Sequence, residues 1–161
     1  LLKELTFKDL TDAENLKTAE LIQKQESVSI HIRRGDYIKK RRIDICGSVC
    51  SLNYYQQAIT HILANTNNPH FFIFSDDLSW AKENLVLPNA YFVDTNRGID
   101  SYKDMQLMSL CKHNIIANSS FSWWGAWLGQ YGKKMVVAPN IWFRNDPLPD
   151  ILPDSWVKIS I

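Results

Sequence analysis

Val28-Ser29-Ile30-His31-Ile32-Arg33-Arg34-Gly35-Asp36-Tyr37 begins as an apolar, β-prone run and ends in a polar loop. A histidine, two adjacent arginines and an aspartate therefore fall at the C-terminal end of an expected strand. In an open α/β sheet that edge is where ligands bind. Guanidinium forks match phosphate oxygens in shape and charge, so the stretch fits a site for a phosphorylated ligand. It also fits a solvated turn in which Asp36 pairs with an arginine and Gly35 supplies the turn conformation. The motif alone leaves both open.

The flanking pattern sets this strand in a repeating order. Residues 11–24 read as a helix, with Thr11 and Glu14 as a capping box. Residues 33–50 form a long polar loop, and in a compact domain such a loop is more often functional than accidental. Ser51 caps a second helix whose apolar face is Leu52, Tyr55, Ile59 and Ile62. Residues 71–74, 90–93, 114–117, 135–138 and 156–159 read as further strands. Helices are expected between Asp76-Asp77 and Leu85, over 101–111, and over 121–131 with Gly132 as the stop. Strands alternating with helices predict a parallel sheet covered on both faces. Residues 147–153, rich in proline, read as a surface wrap. No repeat or low-complexity linker interrupts the pattern.

Composition narrows the function. The 161 residues fit one domain, and 45% hydrophobic with 22% charged residues is ordinary for a globular chain. A net charge of +1 gives no global field for nucleic acid. The basic run Lys39-Lys40-Arg41-Arg42 reads as a solvated loop. No apolar run approaches the ~20 residues of a membrane span. Leu1-Leu2-Lys3-Glu4 is not a signal peptide and lacks an initiator methionine, so a piece of a longer protein is expected. Cys46, Cys50 and Cys111 make no disulfide framework, although Cys46 and Cys50 could close a loop. With the scattered His61, His70 and His113 they form no zinc pattern. Asp76 and Asp77 are adjacent rather than spaced as Asp-x-Asp, and read as a helix start.

A second constellation is Asn118-Ser119-Ser120-Phe121-Ser122, between a strand and a helix. Amides at a helix N-terminus are unpaired and receive anions, while serines there also serve simply as caps. The arginine motif on another strand end favours the anion reading. Trp124, Trp127, Leu128 and Tyr131 follow at helical spacing and read as a core-facing stripe. Phe121 and Trp123 lie near enough to the helix start to border a ligand. Asn118-Ser119-Ser120 matches a glycosylation sequon, read as coincidence because a glycan there would block the pocket. Asp104 falls in the first turn of its helix, where a carboxylate is favourable on structural grounds alone. It also suits a purine reader, since a carboxylate accepts both N1–H and N2–H of guanine.

Four stretches occur together in this order: His31 to Tyr37, Phe74-Ser75-Asp76-Asp77, Asp104-Met105-Gln106-Leu107-Met108-Ser109, and Ile115-Ile116-Ala117-Asn118-Ser119-Ser120-Phe121-Ser122-Trp123-Trp124-Gly125-Ala126-Trp127-Leu128. The set strongly resembles the α-1,2-fucosyltransferase family, its first motif the HxRRxDY signature and its last the tryptophan-rich block. The resemblance implies an α/β, Rossmann-like three-layer domain, the C-terminal, donor-binding half of a GT-B-type inverting glycosyltransferase. It implies GDP-β-L-fucose as donor, no required cofactor or metal, and transfer to the 2-OH of a galactose-terminated glycan. By similarity, His31 and Arg33 would be catalytic and contact the nucleotide diphosphate. Arg34, Asn118 and Phe121 would border the donor. Asp104 would read guanine, Ser119 and Ser120 would hold phosphate oxygens, and Asp36 would brace the arginine loop. The family carries a long segment before its arginine motif, whereas His31 here falls near the first residue. A missing N-terminal acceptor domain is thus expected, with a cytoplasmic setting in a bacterium or the Golgi lumen in a eukaryote.

Overall fold

The computed structural model describes residues 4–35, 50–143 and 150–161. Strand β1 (Ser27–Ile32) is buried along its whole length, as a strand covered on both faces must be. It pairs in parallel with β2 (His70–Ser75) on one side and β4 (His113–Ile115) on the other. With β3 (Ala90–Phe92), β5 (Val136–Pro139) and β6 (Val157–Ile159), the described residues form one parallel sheet of order β3-β2-β1-β4-β5-β6. That is the Rossmann order, and the chain reverses direction across the sheet between β1 and β4. The expected α/β fold is the one observed.

Alternating side chains feed two faces. Ile30, Ile32, Ile73 and Val137 pack beneath α2 (Leu52–Asn65) and α3 (Leu78–Asn84), against Tyr54, Tyr55, Ile59 and Ala81. On the other face Phe72 and Phe74 meet Ile22 of α1 (Ala13–Lys24) and Leu107 and Met108 of α4 (Tyr102–Leu110). Farther along, Ile116, Val136 and Ala138 meet Ala126 of α5 (Ser120–Leu128), with Trp142, Leu152 and Trp156 closing the layer. Three layers result. No helix of the described residues is long and apolar enough to cross a membrane.

Several boundaries depart from the sequence reading. The α1 cap is Asp12, whose carboxylate accepts from the Asn15 amide, not Thr11. A 3-10 turn, Gly98–Ser101, leads into α4. Helix α5 ends at Leu128 with Gly129 as C-cap, short of the expected stop at Gly132. The Lys134 ammonium accounts for this, donating to the carbonyls of Ala126 and Gly129 and satisfying the helix end. The tryptophan stripe is corrected in part: Trp127 packs against the buried cluster of Ile116, Ala126 and Val136, but the stripe is only half-buried. The buried residues of α5 are Ser122, Gly125 and Ala126, because α5 approaches α4 closely and only small residues fit. A Cβ on Gly125 would stand 3.0 Å from the Met108 Cβ. The indoles are displaced to the flank, where Trp123 stacks on Trp127 at 5.1 Å and leans on Trp156 at 5.8 Å. Tyr131 is exposed. Cys50 and Cys111 are free and buried, and Cys46 lies outside the described residues.

Candidate active site

The C-terminal strand ends open onto a cavity of about 860 Å³, a size suited to a nucleotide-sized ligand. It is lined by His31 near the end of β1 and Arg33 just after it, Asp76 after β2, Asp104 of α4, and Ser119, Ser120 and Phe121 at the start of α5. The arginine, serine and carboxylate motifs, far apart in sequence, thus meet at one edge of the sheet.

The arginine turn is shaped from the neighbouring strand. Asp76 Oδ1 accepts from the Arg34 amide at 2.8 Å and Oδ2 from the Gly35 amide at 3.1 Å. Oδ2 also meets Arg33 Nη1 at 3.0 Å. A Cβ on Gly35 would lie 2.7 Å from that oxygen, so glycine is required there for space. Asp77 accepts from the Trp80 amide as the α3 cap and pairs with Arg34 Nε at 3.2 Å. Arg34 is further held with its guanidinium 4.1 Å over the Trp80 ring. It is not among the residues lining the cavity: the two arginines that follow β1 are matched by the two aspartates that follow β2, and of the two arginines Arg33 lines the cavity. Asp76 braces the arginine turn; Asp36, expected in that role, lies outside the described residues.

His31 is 5% exposed and its ring lies 5.6 Å from that of Phe121. Burial pulls its pKa down to about 4, opposed by Asp76 and assisted by Arg33, so the imidazole is neutral at pH 7. Its buried Nδ1 has no hydrogen-bond partner among the described residues. The Tyr55 hydroxyl donates to the His31 carbonyl at 3.1 Å, anchoring the strand end from below.

Asp104 is held differently. Burial raises its pKa to about 6, with the charge of Asp94 adding to the rise and a hydrogen bond from Asn96 opposing it. Ser119 caps α5 without a side-chain hydrogen bond, so its hydroxyl and the first-turn amides remain available to an anion. Asn118 is 3% exposed, donates to the Trp142 carbonyl at 3.4 Å and accepts from Cys50 Sγ at 3.6 Å. It is not among the residues lining the cavity. Its burial also bars glycosylation of the folded chain. Trp123 is turned away, donating to the Ile151 carbonyl. Asn96, Arg97 and Lys82 line the cavity but were absent from the sequence reading; they sit on irregular turns or an exposed helix face, where no periodicity marks them.

Residues 4–160 match the family model described as glycosyl transferase family 11. The chain is 41% identical over 153 residues to the alpha-1,2-colitosyltransferase of Escherichia coli, covering 92% of this chain and 52% of that protein. It is 39% identical over 140 residues to the O-antigen biosynthesis glycosyltransferase WbnK of Escherichia coli, covering 86% and 46%. It is 29% identical over 157 residues to galactoside alpha-(1,2)-fucosyltransferase 2 of Gorilla gorilla gorilla, covering 93% and 44%. A Rossmann-like sheet with a polar cleft at the C-terminal ends of its strands is a frame that suits a nucleotide-sugar transferase. The chain belongs to glycosyl transferase family 11, a glycosyltransferase family with α-1,2-fucosyltransferase relatives, as its motifs indicate. It spans about half the length of the curated relatives it matches.

Proposed function

We propose that the chain is the donor-binding half of an inverting glycosyltransferase that moves L-fucose from GDP-β-L-fucose to the 2-OH of a galactoside. The observation that carries this reading is the convergence of Arg33, the amide end of α5 at Ser119 and Ser120, and Asp104 on one cavity. Asp104 accepts N1–H and N2–H of guanine. Neutral His31 meets the nucleotide through its unpartnered ring nitrogen. The acceptor hydroxyl oxygen bonds to the anomeric carbon as the carbon–phosphate oxygen bond breaks, GDP leaves, and the hydroxyl proton is released to solvent. Arg33 and the α5 amides face the negative charge that develops on the departing diphosphate. The reaction as read needs no metal, and the acceptor is held by a further N-terminal domain.

Transfer of another GDP-linked sugar is the second reading, favoured by the 41% identity to a relative named as a colitosyltransferase. Calorimetry with GDP, ADP and UDP tests the base. GDP is expected to bind more tightly, since losing one bidentate base contact costs about 1–3 kcal/mol; equal affinities for the three would remove Asp104 as guanine reader. Transfer assays of the whole protein with GDP-fucose against other GDP-sugars then separate the two donors.

A further inference from the structure

Asp104 is the terminus of a hydrogen-bonded amide chain that begins on α1, the helix most remote from it in sequence. Asn96 Nδ2 donates to Asp104 Oδ1 at 2.7 Å and to Asn15 Oδ1 at 2.8 Å. Asn15 Nδ2 donates back to Asn96 Oδ1 at 2.8 Å and to Asp12 Oδ1, the α1 cap, at 2.8 Å. Asn15 is 1% exposed. Each amide thus spends both its hydrogens and its oxygen, and flipping Asn96 would set its carbonyl against the Asp104 carboxylate. The arrangement is fixed by hydrogen-bond chemistry.

We propose that Asn96, locked by Asn15, is the positioning residue for the base-reading carboxylate of Asp104 and thereby sets the selectivity of the cavity for guanine. The proposal rests on the reading of Asp104 given above. A carboxylate oxygen has two lone pairs. Asn96 occupies one on Oδ1, leaving the other and Oδ2 to meet the paired N–H groups of guanine. Asn96 also donates to the anion in preference to the acid, and so opposes the burial that would keep Asp104 protonated.

Among the described residues, Lys82 of α3 and Asp76 and Asp77 after β2 line the same cavity as Asp104, the two aspartates paired with Arg33 and Arg34. Asp94, which raises the Asp104 pKa, is itself paired with Arg97 at 2.5 Å. Lys103 is engaged by Asp100 at 2.9 Å and Asp12 at 3.2 Å. His31 and Arg33 line the same cavity, His31 neutral and Arg33 paired with Asp76.

The test is the ratio of GDP to ADP affinity across pH 5–8, measured by calorimetry on the whole protein. Both ligands carry the same titrating diphosphate, so the ratio reports the base contact alone. In the unsubstituted protein the ratio is expected to fall as pH drops through about 6. In Asn96→Ala the midpoint should move up by about one pH unit, because a hydrogen bond to the charged form is lost. Asn96→Gln keeps the amide but displaces it by a methylene; it should shift the midpoint in the same direction and guards against a folding defect in the first variant. Asn15→Ala should give a smaller upward shift. If Asp104→Asn abolishes the GDP preference while both Asn96 variants keep the original midpoint and ratio, the positioning role is overturned and the guanine reading stands. If Asp104→Asn keeps the GDP preference, the guanine reading falls and the proposal falls with it.

Discussion

At the scale of single residues, the site rests on which of two neighbouring arginines faces the cavity. Arg33 does, while Arg34 is held by Asp77 and Trp80. Arg33→Lys keeps the charge but loses the planar fork. Transfer by the whole protein should drop roughly 100-fold, the scale of removing one transition-state donor, with the melting temperature nearly unchanged; near-normal turnover would reassign the role. His31 and Asp104 should oppose each other in stability against pH. His31 has its folded pKa depressed from 6.5 to about 4, so the unfolded chain binds the extra proton and stability is lost as pH falls through that window. Asp104 has its folded pKa raised from 3.8 to about 6, so the folded chain binds the extra proton and stability is gained as pH falls. Urea midpoints between pH 7 and 4 should therefore fall more steeply in Asp104→Asn than in the unsubstituted protein. An unchanged slope would show that Asp104 does not titrate as described. The sequence marks Arg33, His31, Asp104 and the serines because their motifs lie at strand ends or helix starts, and these residues line one cavity. It could not disclose that Asp76 braces the turn, since a carboxylate before a helix reads as a cap whichever way it points.

At the scale of elements, the alternation of strand and helix was legible because β2 holds a continuous apolar run, β1 alternates Val28, Ile30 and Ile32 with polar residues, and Ser51 and Asp77 are genuine caps. The boundaries of α5 were not. Its indoles at helical spacing imitate a core stripe, whereas the buried line is Ser122, Gly125 and Ala126. Periodicity reports apolar character, but it does not report how near the facing helix lies. Gly125 makes the distinction measurable. A Cβ there would sit 3.0 Å from the Met108 Cβ, which is fixed to the α4 backbone and cannot swing aside. Gly125→Ala should destabilise the chain by about 1 kcal/mol in denaturant unfolding, overpacking outweighing the gain in helix propensity, and Gly125→Val by about 2–3 kcal/mol. Stabilisation by the alanine would mean that α4 and α5 yield at their contact.

At the scale of the whole molecule, opposite charges are matched across strands. Arg33 and Arg34 of one strand end meet Asp76 and Asp77 of the next, so the adjacent aspartates are committed to guanidinium groups. Transfer activity is accordingly expected to survive EDTA, with Arg33 and the α5 amides facing the diphosphate. A strict magnesium or manganese requirement, restored by titration after chelation, would reassign Asp76 or Asp77 as a ligand. The same ladder bears on how the chain acquires its shape. The contacts that form the arginine turn join residues 42 and 43 positions apart, across a parallel pair that no short hairpin can connect. Closing so long a loop costs entropy before any contact repays it. During synthesis, the segment bearing Arg33 emerges well ahead of the carboxylates that mould it. A nascent chain halted before Asp76 therefore displays the arginines without the turn, and the turn arises only once the second strand has docked.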